Sequence, residues 1–198
     1  LGTDMRNPVS VLDRADKKVT RDRIFGNVYA QWEIIKGLTL KTDFGYDWSQ
    51  WQEKEYSGIV PEAGRPSTVA ELTQQDWQST RWMNTTTLKY DGSWGKHKLM
   101  GLGGWSYEDY RMNFLNARGT GFASDDESQR FLECASNVAW LLSGRKEWAL
   151  MSGFLRFDYS FADRYLLSAS FRADGSSKFA KKNRWGYFPS VSGAWRIS

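Results

Sequence analysis

RWGYFPSVSGAWRIS (Arg184–Ser198) carries its large aromatics on alternate positions, and the reading of that alternation decides the fold. Trp185, Tyr187, Pro189, Val191, Gly193, Trp195 and Ile197 form one row. Ser190, Ser192, Ala194, Arg196 and Ser198 form most of the other, with Phe188 the exception. A period of two belongs to a strand with one apolar and one polar face. In a soluble sandwich the aromatics would be spread along a packed core. Here they stand at the two ends of the row, with small or aliphatic residues between them. That placement asks for an apolar surrounding with two polar boundaries.

The same alternation recurs upstream. Ile24, Gly26, Val28, Ala30, Trp32 and Ile34 oppose Arg23, Asn27, Tyr29, Gln31 and Glu33. Leu38, Leu40, Thr42, Phe44, Tyr46 and Trp48 oppose Thr39, Lys41, Asp43, Gly45, Asp47 and Ser49. Trp82, Thr86, Leu88 and Tyr90 oppose Arg81, Thr85, Thr87, Lys89 and Asp91. Leu99–Tyr110 alternates less cleanly, because Met100 and Leu102 compete for the apolar face. Leu155, Phe157, Tyr159 and Phe161 oppose Arg156, Asp158 and Ser160, and Tyr165, Leu167, Ala169 and Phe171 oppose Ser168, Ser170, Arg172 and Asp174. These signals predict about seven strands. For Pro189, which donates no ladder hydrogen bond, they predict a bulge near the rim.

The connections alternate in length. Short turns are expected at Lys36-Gly37, Gly92–His97 and Ala162–Arg164. Long loops are expected at about 57–77, 111–148 and 175–184, with residues 1–20 a leading loop and 21–198 the strand-bearing region. Within the second long loop, Ser124 and Glu127 have capping-box spacing, which predicts a short helix from Asp125 to about Val138 with Phe131, Ala135 and Val138 on one side. Strands running between a short-turn rim and a long-loop rim are the pattern of outer-membrane barrels. The aromatics also fall on two levels. Tyr46, Trp48, Trp82, Trp105, Tyr107, Trp185 and Tyr187 lie toward the long loops. Trp32, Tyr90, Phe161, Tyr165 and Trp195 lie toward the short turns. Trp82 to Tyr90 corresponds to a height on the order of 20 Å, close to the lipid-facing band of such barrels. The expected fold class is therefore all-β: an antiparallel transmembrane β-barrel segment.

Composition is consistent with this. Charged residues make up 25% of the chain, so no stretch approaches an apolar helical span. The chain opens LGTDMRNPVS, which does not resemble a signal peptide. The excess of 27 basic over 23 acidic residues is too mild to argue for nucleic acid. With Cys134 alone there is no intrachain disulfide, and the single His97 lacks the company that a metal or catalytic site needs. The expectation is no catalytic residue, no metal and no cofactor.

DRYLLSASFRADGSSKF (Asp163–Phe179) and NRWGYFPSVSGAWRIS (Asn183–Ser198) closely resemble the barrel of the SusC/RagA family, TonB-dependent outer-membrane transporters of Bacteroidota. FGNVYAQWEIIKGLTLKTDFGYDW (Phe25–Trp48), NTTTLKYDGSWGKHKLMGLGGWS (Asn84–Ser106) and Asn7-Pro8 are similar to its upstream barrel. The loops Ser57–Trp77 and Arg111–Trp148 carry no such likeness. The resemblance implies a barrel of about 22 strands with a plugged lumen, of which this chain supplies a section of wall without plug or TonB box. It implies import of a nutrient, an oligosaccharide before a peptide or siderophore. It also implies a SusD-like surface lipoprotein as lid, TonB–ExbB–ExbD as the energy source, and lipid as surroundings.

The polar row is then the lumen face. Its candidates for substrate contact are Lys41, Asp43, Lys89, Asp91, Arg156, Asp158, Arg172, Asp174 and Arg196, for each of which a structural ion pair on a solvated inner wall is the better explanation. Several rivals remain. A barrel hydrolase or adhesin would need a constellation on the long-loop rim. A nucleic-acid binder would use KKNRWGYF (Lys181–Phe188), which an extracellular loop entering an aromatic belt explains better. A lipocalin-like soluble barrel would invert the two faces.

Overall fold

The computed structural model describes residues 16–59 and 69–197, so Asn7-Pro8 and most of the leading loop lie outside the described residues. Seven strands form one sheet in the order β1-β2-β3-β4-β5-β6-β7. They are β1 (Asp16–Ile35), β2 (Leu38–Ser57), β3 (Glu71–Trp94), β4 (His97–Phe122), β5 (Ala135–Phe161), β6 (Tyr165–Ser176) and β7 (Trp185–Trp195). The sheet is all-β and does not close on itself among the described residues. Its short turns all lie on one rim and its longer connections on the other.

The short turns explain why consecutive strands are neighbours. Gly37 has φ +83°, and a Cβ there would sit 2.3 Å from the carbonyl oxygen of Asp91, so only glycine fits. The bond from Asp91 N–H to Gly37 O (2.7 Å) ties this turn to β3. Ala162 and Asp163 both have positive φ, and Arg164 N–H closes the turn on Phe161 O at 3.0 Å. Three residues, Ala162, Asp163 and Arg164, thus turn the chain between the paired Phe161 and Tyr165, without a glycine. The middle turn is shorter than expected. β3 continues to Trp94, and only Gly95 and Lys96 turn the chain.

Registers β5–β6 and β6–β7 run without interruption. Phe157 pairs with Ala169, and Ala169 with Val191; on the other row Asp158 pairs with Ser168, and Ser168 with Ser192. Each row is therefore continuous across strands, as the alternation requires. The bulge expected at Pro189 does not occur. Arg196 N–H bonds to Arg164 O and Ser176 N–H to Arg184 O, so even-numbered residues hold the hydrogen-bonded pairs of β6–β7. Pro189 lies opposite Phe171 in a non-bonded pair, where a residue's N–H points away from β6. Its missing donor costs this ladder nothing.

Three expected loops are shorter than predicted because strands run into them. Only 58–70, 123–134 and 177–184 separate strands, and β1 already begins at Asp16, inside the expected leading loop. The helix expected over 125–138 is absent. Two 3-10 turns, Glu127–Gln129 and Leu132–Cys134, stand there, and β5 begins at Ala135. The physical reason is local. Ser124 Oγ accepts from Asp126 N–H (3.1 Å), and Asp126 itself caps Ser128, so the capping bonds close a tight turn and not a helix.

Two compact units emerge. The first comprises, among described residues, 16–23, 48–59, 69–79 and 112–146; the second is Ile24–Asp47, Thr80–Arg111 and 147–197. The first has a small core of Tyr56, Ala70, Leu72 and Phe122, against which Leu132, Cys134 and Ala135 pack. In the second no large hydrophobic side chain is buried. Val28, Leu167 and Val191 are 69%, 52% and 74% exposed.

Candidate functional site

On the apolar row of the second unit, cross-strand rings form two belts. Phe44 stacks on Trp82, which meets Tyr107 at 5.0 Å, and Phe171 stacks on Tyr187. Toward the short turns, Trp94 stacks on His97, His97 meets Phe161, Phe161 stacks on Tyr165 and Tyr165 on Trp195. His97 is thus a belt member whose Nδ1 is 2.7 Å from the Tyr159 hydroxyl. Its signal in the sequence was its parity with Leu99, which a lone histidine in a basic turn obscures.

Between the belts this row carries one polar group that sequence reasoning overlooked. Asn84 donates to Thr42 Oγ1 and Asp43 O, both at 3.1 Å, and accepts from Thr86 Oγ1; the two threonine hydroxyls are 3.0 Å apart. The trio satisfies itself, which is the condition for a polar side chain to face an apolar medium.

The opposite row holds the candidate contact residues, and eight of the nine pair with one another. Lys41–Asp43 (3.0 Å), Lys89–Asp91 (2.8 Å), Arg156–Asp158 (2.7 Å) and Arg172–Asp174 (2.8 Å) are each a base and an acid two residues apart on one strand. Positions i and i+2 share a face, so the recurrent K/R-x-D spacing is itself the pairing rule. Cross-strand hydroxyls complete two of them. Ser168 donates to Asp158 at 2.5 Å, and Arg172 donates to Ser152 at 3.3 Å. Each pair is locally neutral and reached by solvent, which screens it, so it contributes little to stability. Asp91 and Asp158 also line one open concavity of about 600 Å³ together with Lys98, Ser160 and Ser168. Arg196, the ninth, lies near Asp163. At that turn Lys98 holds the Asp163 carboxylate at 2.7 Å, and this bond keeps its carboxyl below the usual range.

The first unit adds groups that the sequence did not single out. Lys17 bridges Glu53 and Glu55 at 2.7 and 3.1 Å, and Arg118 pairs with Glu71. Arg130 joins Asp16 at 2.7 Å and donates twice to the Asp125 carbonyl (3.1 and 2.8 Å) while lying 4.7 Å over the Tyr56 ring. Tyr56, 2% exposed, donates to Asp125 Oδ1 at 2.7 Å. Burial and then that carboxylate push its phenol up to about 12. Ile59 N–H reaches the other oxygen of Asp125 at 3.3 Å. Asp125 thereby fixes the stretch after β2 to the stretch after β4. These residues come from segments whose sequences read as loop, and no spacing announced them.

Among the described residues no three His, Cys, Asp or Glu side chains gather as a metal site. The geometry is that of a wall with an apolar, aromatic-edged face and a face of neutralised charge.

No family model matches the chain. Over all of its 198 residues the chain is 31% identical to TonB-dependent receptor P3 of Formosa agariphila, and it covers 20% of that protein. Over 48 residues, 24% of the chain and 5% of the relative, it is 52% identical to TonB-dependent receptor SusC of Bacteroides thetaiotaomicron. The solved structure of the RagAB peptide transporter superposes on 94% of this chain, using 21% of its own, with a TM-score of 0.84 and 27% identity. The ferric preacinetobactin receptor BauA of Acinetobacter baumannii shares the fold alone, at 12% identity and a TM-score of 0.52. The chain thus spans about one fifth of the length of the curated relatives it matches in full. In sequence and in fold it is barrel wall of a SusC/RagA-like TonB-dependent receptor.

Proposed function

We propose that the protein carrying this chain is a TonB-dependent importer of the bacterial outer membrane that takes up a nutrient oligosaccharide. The observation that carries the reading is the pairing of faces. One row is apolar and edged by aromatics, as lipid requires, and the other is lined by locally neutral ion pairs that leave a wet lumen without a strong field of either sign. Lys41, Asp43, Lys89, Asp91, Arg156, Asp158, Arg172, Asp174 and Arg196 face that lumen and meet either solute or plug. The long connections 58–70, 123–134 and 177–184 are extracellular, and the ordered first unit offers the surface on which a SusD-like lipoprotein docks. Energy comes from TonB–ExbB–ExbD acting on parts of the receptor other than this wall, and no covalent bond of the solute is broken.

A second reading, import of peptides, is favoured by one observation. The solved structures that superpose on this chain include the RagAB peptide transporter. Deleting TonB separates importer from pore or hydrolase. Uptake should stop while binding at the cell surface survives. Undiminished uptake in that strain, with the outer membrane intact, contradicts the proposal. Competition of the surviving surface binding by oligosaccharides or by a peptide digest distinguishes the two cargos.

A further inference from the structure

Trp51 and Trp77 do not belong to either aromatic belt. They stand on the same row as Ser49 and Glu53 of β2, opposite in parity to the outward Tyr46 and Trp48. Ser49 faces Ser79 with their hydroxyls 2.9 Å apart, and one step along Trp51 faces Trp77 with ring centroids 4.9 Å apart at 34°. Two successive same-face pairs in one register fix both indoles on the lumen side of the first unit. The core of that unit is built from the other row, which carries Tyr56 and Leu72. The indoles are therefore neither lipid anchors nor core.

Their polar neighbours are oriented. The Trp77 Nε1–H donates to Asn116 Oδ1 at 3.0 Å, and since an indole N–H can only donate, the asparagine must turn its oxygen to it and keep its amide NH2 as a donor. Trp51 is half-buried and supports Trp77, which is 40% exposed. The patch of Trp51, Trp77, Asn116, Ser49 and Ser79 contains no charge, whereas the rest of this row is dominated by ion pairs.

We propose that Trp51 and Trp77, with Asn116 and the Ser49–Ser79 hydroxyls, form a stacking subsite for one neutral sugar ring on the inner wall. The C–H face of a pyranose is apolar and flat enough to cover an exposed indole, and its rim of hydroxyls needs donors and acceptors beside that indole. An uncharged aromatic with an amide and two hydroxyls at its edge supplies both, and Trp77 is held in one rotation so that little ordering is lost on binding. The inference rests on the oligosaccharide reading above.

The test uses the full-length receptor in lipid nanodiscs and neutral hexasaccharides of glucose, xylose, mannose and galactose as probes. Calorimetry should find at least one that binds, and binding should protect tryptophan fluorescence from acrylamide. Trp77→Ala should weaken that binding about tenfold, a loss of roughly 1.4 kcal/mol. Trp77→Phe should retain most of it, and Trp105→Ala on the outer row should leave it unchanged. Equal affinity in wild type and in the Trp51→Ala/Trp77→Ala variant overturns the subsite and leaves glycan import standing. Failure of every hexasaccharide to bind wild type, with a tryptic peptide digest binding in their place, overturns both.

Discussion

The two units treat their apolar side chains differently. In the first, the chain buries some of its own apolar groups. It does so with Tyr56, Leu72 and Phe122, and with connections pulled inward by Asp125 and Arg130. In the second, Val28, Phe44, Leu167 and Val191 remain exposed and no hydrophobic side chain is buried. On the proposed outer-membrane reading the surroundings take the place of a core. Lipid tails are as apolar as a leucine, so a strand between belts is stable without any inward partner beyond its neighbours' hydrogen bonds.

The comparison breaks most sharply under truncation. Leu72→Ala should cost the first unit about 2–5 kcal/mol, because a closed core keeps the cavity it leaves. Leu167→Ala, in the full-length receptor in lipid, should cost about 1 kcal/mol or less, because lipid fills the space. Denaturant unfolding of the two variants, read by probes in each unit, would reverse the account if the costs were equal.

Charge sharpens the same contrast within the second unit. Val191→Arg should destabilise the barrel by about 2–4 kcal/mol if near the midplane, while Ser192→Arg on the other row should cost about 1 kcal/mol or less. Unfolding in lipid vesicles measures both. Tyr56→Phe comes next. It removes the donor that holds Asp125 and should loosen the first unit by about 1–3 kcal/mol. The expected sign is faster hydrogen exchange at Ile59 and around residues 123–134, with the second unit unaffected.

The smallest effect concerns pH at the short-turn rim. Lys98 holds the Asp163 carboxyl below its usual range. The folded state therefore favours the ionised form. The stabilisation is fully present above the unfolded-state value near pH 4 and is lost as pH falls through the lower folded value. Amide exchange of the Ala162-Asp163 turn should quicken over that acid window in the wild type. Lys98→Met should shift the onset upward, toward the ordinary carboxylate range.

How much of this was legible follows from the same difference. β6 and β7 could be read residue by residue, because one row is apolar and the other polar over the whole of Tyr165–Phe171. Parts of β4 and β5 were read otherwise: 112–122 and 139–148 as loop, and 135–138 as the end of a helix. At MNFLNARGTGF the period-two contrast is lost although the strand continues, and Ala117 and Phe122 are buried in it. Along each strand the candidate charges share one parity, and eight of the nine pair with one another. Their pairing was implicit in the K/R-x-D spacing, whereas Lys17–Glu53, Arg130–Asp16 and Tyr56–Asp125 join positions far apart in the chain, which no spacing reveals. Asn84 and Pro189 each break a local rule, and each is tolerated for a reason visible only in three dimensions: a closed set of hydrogen bonds, and a non-bonded pair.

The central claim is that odd-numbered residues of β6 touch lipid and even-numbered residues touch water. Spin labels placed one at a time at 166–171 of the full-length receptor in bilayers, in a Cys134→Ser background, test it directly through their relative collision rates with oxygen and with a water-soluble nickel chelate. Oxygen should dominate at Leu167, Ala169 and Phe171, and nickel at Leu166, Ser168 and Ser170. A flat profile, or one with the two sets exchanged, would contradict the assignment of the faces.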